Sequence, residues 1–237
     1  MDYRKRIYSR YRSIQNLPRG INLDAADHWG KPYESWLRGW MPLDKSASII
    51  DAGCGSGLML RFFQRKGYNN QTGVDISEEQ LALARQICEN VHLKNATEFL
   101  LEHPESFDLV FSLDLIEHLN KEELLNLLDA AYTALKPGGR IILQTPNCAS
   151  PFGIVQRYSD FTHEIGLTPK SLAWLLRLSG FRLIEARELG PVIHGAKSFI
   201  RFILWKVVRL SFRMFDLIET GASERIYTRV FVVSAKK

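Results

Sequence analysis

One stretch, residues 48–145, does most to limit what this chain of 237 residues can fold into. Short apolar runs alternate there with segments of helical period. Residues 48–52 (Ser-Ile-Ile-Asp-Ala) read as a strand ending in a carboxylate, and Gly53-Cys-Gly-Ser-Gly57 reads as a turn. Residues 58–66 are helical, with Gly67 past the end as a C-cap. Residues 72–75 form a second strand, and Ser77-Glu-Glu-Gln80 opens a helix running to about Asn90. Residues 91–93 are a weak third strand and 107–112 a fourth. Asn120 caps a helix over 121–135, whose stripe of Leu124, Leu127, Leu128 and Ala131 faces inward. Lys136-Pro-Gly-Gly139 stops it, and 140–145 are a fifth strand. Strands separated by helices pair in parallel through right-handed crossovers, so the class is α/β.

The flanks are less regular. Residues 1–20 are basic and aromatic, and we read them as a solvated or frayed segment; the alternative is a basic arm touching phosphate or lipid headgroups. Residues 24–40 read as one helix capped by Asp24 and carrying Trp29, Tyr33, Trp36 and Trp40. Residues 146–167 are long for a loop. Thr168 and Pro169 start a helix that ends at Gly180, and 181–188 and 225–233 read as strands. The whole is expected to be one domain: a helical extension (1–42), a core (43–145), and a second half (146–237) holding a helical insertion near 196–219. Three scattered cysteines make neither a zinc motif nor a disulfide framework, so no metal and a reducing, cytoplasmic setting are expected. No secretory signal and no simple membrane span are read from the sequence. A net charge of +5 permits an anionic ligand without demanding nucleic acid.

The glycine turn carries the chemistry. A strand, a glycine turn and a helix start let backbone approach a ligand closely, with free N–H groups ahead. Asp75 ends the next strand, 20 residues past Gly55, where a carboxylate accepts ribose hydroxyls. Position 58 is Leu, so the dinucleotide pattern fails, and no phosphate-loop Lys follows. Asp51 would repel a pyrophosphate and attract an ammonium. A nucleoside carrying an amino acid fits better.

On these residues the chain resembles the class I S-adenosylmethionine-dependent methyltransferases. The resemblance is carried by residues 51–57, Gly73-Val-Asp75, residues 107–119 and residues 135–143. It implies a Rossmann-like, mostly parallel seven-stranded sheet flanked by helices, with a reversed last strand. It also implies the donor S-adenosylmethionine and the product S-adenosylhomocysteine. Gly53, Gly55 and Gly57 would line the methionine part, in one turn with Asp51 and Cys54. Asp75 would hold the ribose, Ile76 would meet adenine, and Asn95 and Ala96 would touch its edge, where the family often has Asp. Leu113 would flank the donor. Glu117 and His118 read as helix-start capping and packing.

A hydroxyl acceptor needs its proton removed. His163 is the candidate base, with Asp160 and Glu164 as orienters or alternatives; equally, His163 fastens its loop. Residues 158–181 resemble a subgroup associated with bacterial surface-polysaccharide clusters and, more loosely, quinone-biosynthesis O-methyltransferases. A sugar hydroxyl of a surface glycan or its precursor is therefore the expected acceptor, with a quinol or other small metabolite as the alternative. Nucleic acid is the weakest reading, because no Pro-Pro-Tyr/Phe motif stands at residue 113. In 196–219, Phe199, Ile203, Val207, Leu210, Met214 and Leu217 share one helix face, and Lys197, Arg201, Lys206, Arg209 and Arg213 mix with Phe202, Trp205 and Phe212 on the rest. Such a stripe is usually core; an interfacial helix on anionic lipid, a dimer contact or an acceptor lid are the alternatives.

Overall fold

Seven strands form one sheet in the computed structural model, which describes residues 3–14 and 20–237. They are β1 (Ile49–Ala52), β2 (Gln71–Asp75), β3 (Val91–Leu93), β4 (Phe107–Leu113), β5 (Leu135–Pro146), β6 (Arg182–Glu188) and β7 (Val230–Lys236). Their order is β3-β2-β1-β4-β5-β7-β6; β7 alone is reversed, pairing antiparallel with β5 and β6. The central strands are apolar on both faces because helices cover both. Ile50, Val110 and Ile141 pack under one helical layer, and Ile49, Leu109 and Ile142 under the other. The winding direction changes between β1 and β4, which opens a crevice at their carboxyl ends.

The helices are α1 (Tyr3–Tyr8), α2 (Tyr11–Ile14), α3 (Leu23–Gly30), α4 (Tyr33–Trp36), α5 (Leu58–Arg65), α6 (Glu78–Ala84), α7 (Ala96–Leu101), α8 (Lys121–Ala134), α9 (Gly153–Tyr158), α10 (Pro169–Leu178) and α11 (Ala196–Thr220), with a 3-10 turn at Ile116–His118. Asn120 and Glu123 close a capping box at α8, and Thr168 and Ser171 another at α10. The single helix expected over 24–40 is two pieces, because Pro32 cannot donate to a helical carbonyl, and Asn22 rather than Asp24 caps the first. The helix after Ser77 stops at Ala84 instead of reaching Asn90. Ser77 stands at its N-cap, but its hydroxyl makes no capping bond and donates instead to the Tyr8 carbonyl. Leu135 ends α8 and starts β5 directly, and α9 occupies part of the expected loop. The last strand begins at Val230, since residues 226–228 turn back to give their carbonyls to Asn147 and Ser150.

Residues 3–14 are not a solvated tail. Arg4 meets Glu123 at 2.6 Å and Glu164 at 3.4 Å, and the Ser13 hydroxyl donates to Glu79 at 2.6 Å. Arg4 thus pairs with two acids of the body, and Arg4, Tyr8 and Ser9 line the crevice.

α11 also departs from expectation. Only Ser198 is buried, and the half-buried side chains are Phe202, Trp205, Arg209, Phe212 and Asp216. Phe212 stacks against Tyr227, and Arg209 reaches Glu188 at 2.6 Å. The stripe expected to be core points away from the sheet. No helix among the described residues is long and apolar enough to cross a membrane.

Candidate active site

A cavity of 980 Å³ opens at the carboxyl ends of β1, β2 and β4. Its floor is the turn after β1. Gly53 and Cys54 donate backbone N–H bonds to the Val74 carbonyl at 2.8 and 3.0 Å, which pins the turn to β2. Gly53 and Gly57 have φ of +78° and +86°, and a Cβ at either would stand 3.1–3.2 Å from Leu115 or Ala84. Only glycine fits both demands. Asp75 locks the turn from the other side. One of its oxygens accepts from the Gly55 N–H at 2.9 Å, the other from the Ser77 N–H at 2.8 Å. Burial raises its pKa, and these donors work against the rise.

Asp51 is the exceptional group. It lines the cavity at 1% exposure, and its Oδ1 is buried without a partner. Burial, with Asp75 nearby, pushes its pKa up to about 8. An unmatched carboxylate oxygen beside a turn and opposite a ribose-type acid suits a nucleoside bearing an ammonium. Ile76, Asn95, Ala96 and Leu113 also line the cavity. The Asn95 side chain is already used, accepting from the Thr97 and Glu98 N–H groups as the cap of α7.

Asp114 and His118 line the cavity as well. Asp114 holds a left-handed backbone, φ +49°, which a non-glycine residue adopts at a cost of about 1–3 kcal/mol. Its side chain is open to solvent at the cavity wall, and the protein packed around it lifts its pKa to about 6. Gln144 donates to it at 3.2 and 3.3 Å while accepting from the Tyr33 hydroxyl at 2.9 Å. Burial and the nearby His163 push His118 down to about 4. The three candidates from the long loop lie elsewhere. His163 packs edge-on against His118 at 4.7 Å, Asp160 accepts from Thr162, and Glu164 pairs with Arg4; none of them lines the cavity. Tyr8 and Arg4 do line it, as do Glu123 and Asn126. Sequence reading missed these and Asp114. A positive φ leaves no local signal in a Leu-Asp-Leu run, and the overlying N-terminal segment is fixed by pairings 119 residues apart.

The comparisons agree with this geometry. The methyltransferase domain family matches residues 31–186. A ubiquinone biosynthesis O-methyltransferase of Hydrogenovibrio crunogenus is 31% identical over 169 residues, spanning 63% of this chain and 68% of that protein. One from Colwellia psychrerythraea is 34% identical over 105 residues, 42% of each chain. Among solved structures, a SAM-dependent methyltransferase from Archaeoglobus fulgidus superposes over the full length of both chains with a TM-score of 0.66 at 22% identity. A sheet with one reversed strand, a glycine turn answered by Asp75 and a family match over most of the core make this chain a member of the class I S-adenosylmethionine-dependent methyltransferases.

Proposed function

We propose that the chain transfers a methyl group from S-adenosylmethionine to a hydroxyl of a quinol-type ring. The observation that carries this reading is the 31% identity to an O-methyltransferase of ubiquinone biosynthesis. It favours the quinol acceptor over the sugar hydroxyl expected from residues 158–181. Gly53, Cys54, Gly55 and Gly57 seat the methionine arm, and Asp51 answers its ammonium. Asp75 takes the ribose hydroxyls, Ile76 lies on adenine with Asn95 and Ala96 at its edge, and Leu113 flanks the donor. When bound, the sulfonium supplies an electrophilic methyl, whose bond to sulfur breaks toward sulfur as the bond to oxygen forms. The chain aligns the partners and removes the hydroxyl proton. Asp114 is the group proposed to take that proton. It faces the cavity, Gln144 and Tyr33 hold it in place, and its raised pKa makes it more basic than an ordinary aspartate while leaving it ionised at neutral pH. His163, Asp160 and Glu164 then act behind His118 as positioning residues.

The test is turnover followed by mass spectrometry, with a hydroxylated hydroquinone and a sugar offered side by side. Methylation of the hydroquinone oxygen is expected. Methylation of the sugar alone would overturn the acceptor, and donor binding without turnover on either would overturn the reaction.

We also propose that α11 seats the enzyme on an anionic membrane surface, where a quinol with an apolar tail resides. The helix is about 37 Å long at the usual rise. Its outward face offers Ile200, Ile203, Leu204, Val207, Leu210 and Met214, each 46–59% exposed. Lys197 and Arg201 border that face on one side, Lys206 and Arg213 on the other. Beneath the second border lies a cavity of 520 Å³ lined by Lys206, Arg209, Arg213 and Arg225 against the single acid Glu224, a cationic balance that suits an anionic headgroup. Apolar residues bordered by cations are the composition of an interfacial helix, and each side chain fully removed from water contributes about 1.5–3 kcal/mol. Flotation with phosphatidylcholine vesicles, with and without phosphatidylglycerol, tests this. Binding to the anionic vesicles that V207E/L210E loses is expected. No flotation, or a dimer that the same variant dissolves, would overturn it.

A further inference from the structure

Behind the cavity wall three ligand-type side chains converge on one point. Glu117, His118 and His163 each offer an atom, and all three atoms lie within 4.8 Å of one another. Their remaining polar atoms are engaged in ways that fix what is left. Glu117 Oε2 accepts from the Thr145 hydroxyl at 2.9 Å, while Oε1 is buried and unpartnered. The Thr162 hydroxyl donates to Asp160 at 2.7 Å, so toward His118 Nδ1, 2.8 Å away, it accepts; that nitrogen carries a proton. His163 Nδ1 lies 3.1 and 3.2 Å from the carbonyls of Gln156 and Arg157, which only accept, so it too is protonated. A neutral imidazole has one donor and one acceptor nitrogen, so in each ring the lone pair sits on Nε2. With Glu117 ionised, two imidazole lone pairs and an unmatched carboxylate oxygen are three acceptors with no donor among them. Each also has an outer hydrogen-bond partner of the kind that orients metal ligands.

We propose that Glu117, His118 and His163 bind a divalent transition-metal ion. Two imidazoles with one carboxylate favour Zn²⁺, Co²⁺ or Fe²⁺ over Mg²⁺ or Ca²⁺. His118 also lines the cavity, as Asp114 does, so the ion stands at its wall. Its role there rests on the proposed O-methyl transfer: it holds the acceptor oxygen and makes its hydroxyl more acidic, and the released proton passes to Asp114. The sequence expectation of no metal looked for closely spaced ligands. Here 117–118 and 163 are joined by the fold, through Glu164 and Ile165 N–H bonds to the Glu117 carbonyl.

The experiment is titration of the chelator-stripped full chain with Co²⁺ alone, read by its visible absorption and by competition with Zn²⁺. Stoichiometric binding is expected, weakened at least ~10-fold in E117Q and in H163A and unchanged in H92A. E117Q retains the Thr145 contact, so it serves if H163A fails to fold. Calorimetry with S-adenosylhomocysteine separates the two readings, because donor affinity should be unaltered in both variants. Absence of Co²⁺ bands in the wild type, or bands kept in both variants, overturns the site whatever becomes of turnover.

Discussion

Replacing Asp51 by Asn should make the free enzyme more stable and the donor complex weaker. The free carboxyl is buried with one oxygen unmatched, and its pKa is raised to about 8 from an ordinary 3.8. A carboxyl with a raised folded value takes up a proton on folding. The penalty is absent below the unfolded value, grows as pH rises from about 4, and levels off above about 8. At pH 7 the protonated group lies roughly three pH units above its ordinary value, so the penalty is at most about 4 kcal/mol at about 1.4 kcal/mol each. Asn escapes the ionisation penalty but leaves an amide to be satisfied, so a net gain of about 1–2 kcal/mol is expected. For a chain of this size that raises Tm by about 2–8 °C. The donor's ammonium should demand the ionised form. Wild-type affinity for S-adenosylhomocysteine should then rise up to tenfold per pH unit from pH 6 toward pH 8, whereas D51N should be flat and about 10–100-fold weaker at pH 8. Thermal melts and calorimetry across pH 6–8 decide it. A D51N protein that melts lower without donor, or that binds donor as wild type does with the same pH slope, would refute the assignment of Asp51 to the ammonium.

Other outcomes follow from the same geometry. D114N should lower kcat by about 10²–10⁴ with donor affinity unchanged, as rapid-quench turnover and calorimetry would report. D75A should both weaken the donor by at least ~10-fold and destabilise the free chain by about 1.5–3 kcal/mol, because the Gly55 and Ser77 N–H groups lose a charged acceptor; chemical denaturation checks the second part. G57A should destabilise by more than about 1 kcal/mol, since φ +86° and an Ala84 backbone atom 3.1 Å from the new Cβ oppose it together. R4A should release the segment across the cavity, speeding donor dissociation several-fold in stopped flow while leaving Tm within a few degrees.

What the sequence disclosed and what it hid divide along the range of the forces involved. The strand, glycine turn, helix and answering Asp75 are local demands. A positive φ at Gly57 and a carboxylate at a strand end are written into single residues, so the turn and its answering acid were readable from the sequence. The acceptor half depends on contacts between distant segments. Arg4 covers the crevice only because Glu123 and Glu164 reach it. Glu117 meets His163 only because two backbone N–H groups of the long loop dock on the Glu117 carbonyl. Helix α11 shows a third case, in which local pattern was read correctly and its direction was not. The wheel separated Phe199, Ile203 and Val207 from the cations, and burial was assumed for the apolar side. Instead the mixed face carrying Trp205, Arg209 and Phe212 meets the sheet, held by Glu188 and Tyr227, and the pure apolar face is left outward. Periodicity tells which residues share a face. Which face turns inward is settled by where the body places its partners, and here a buried-edge acid chose an arginine.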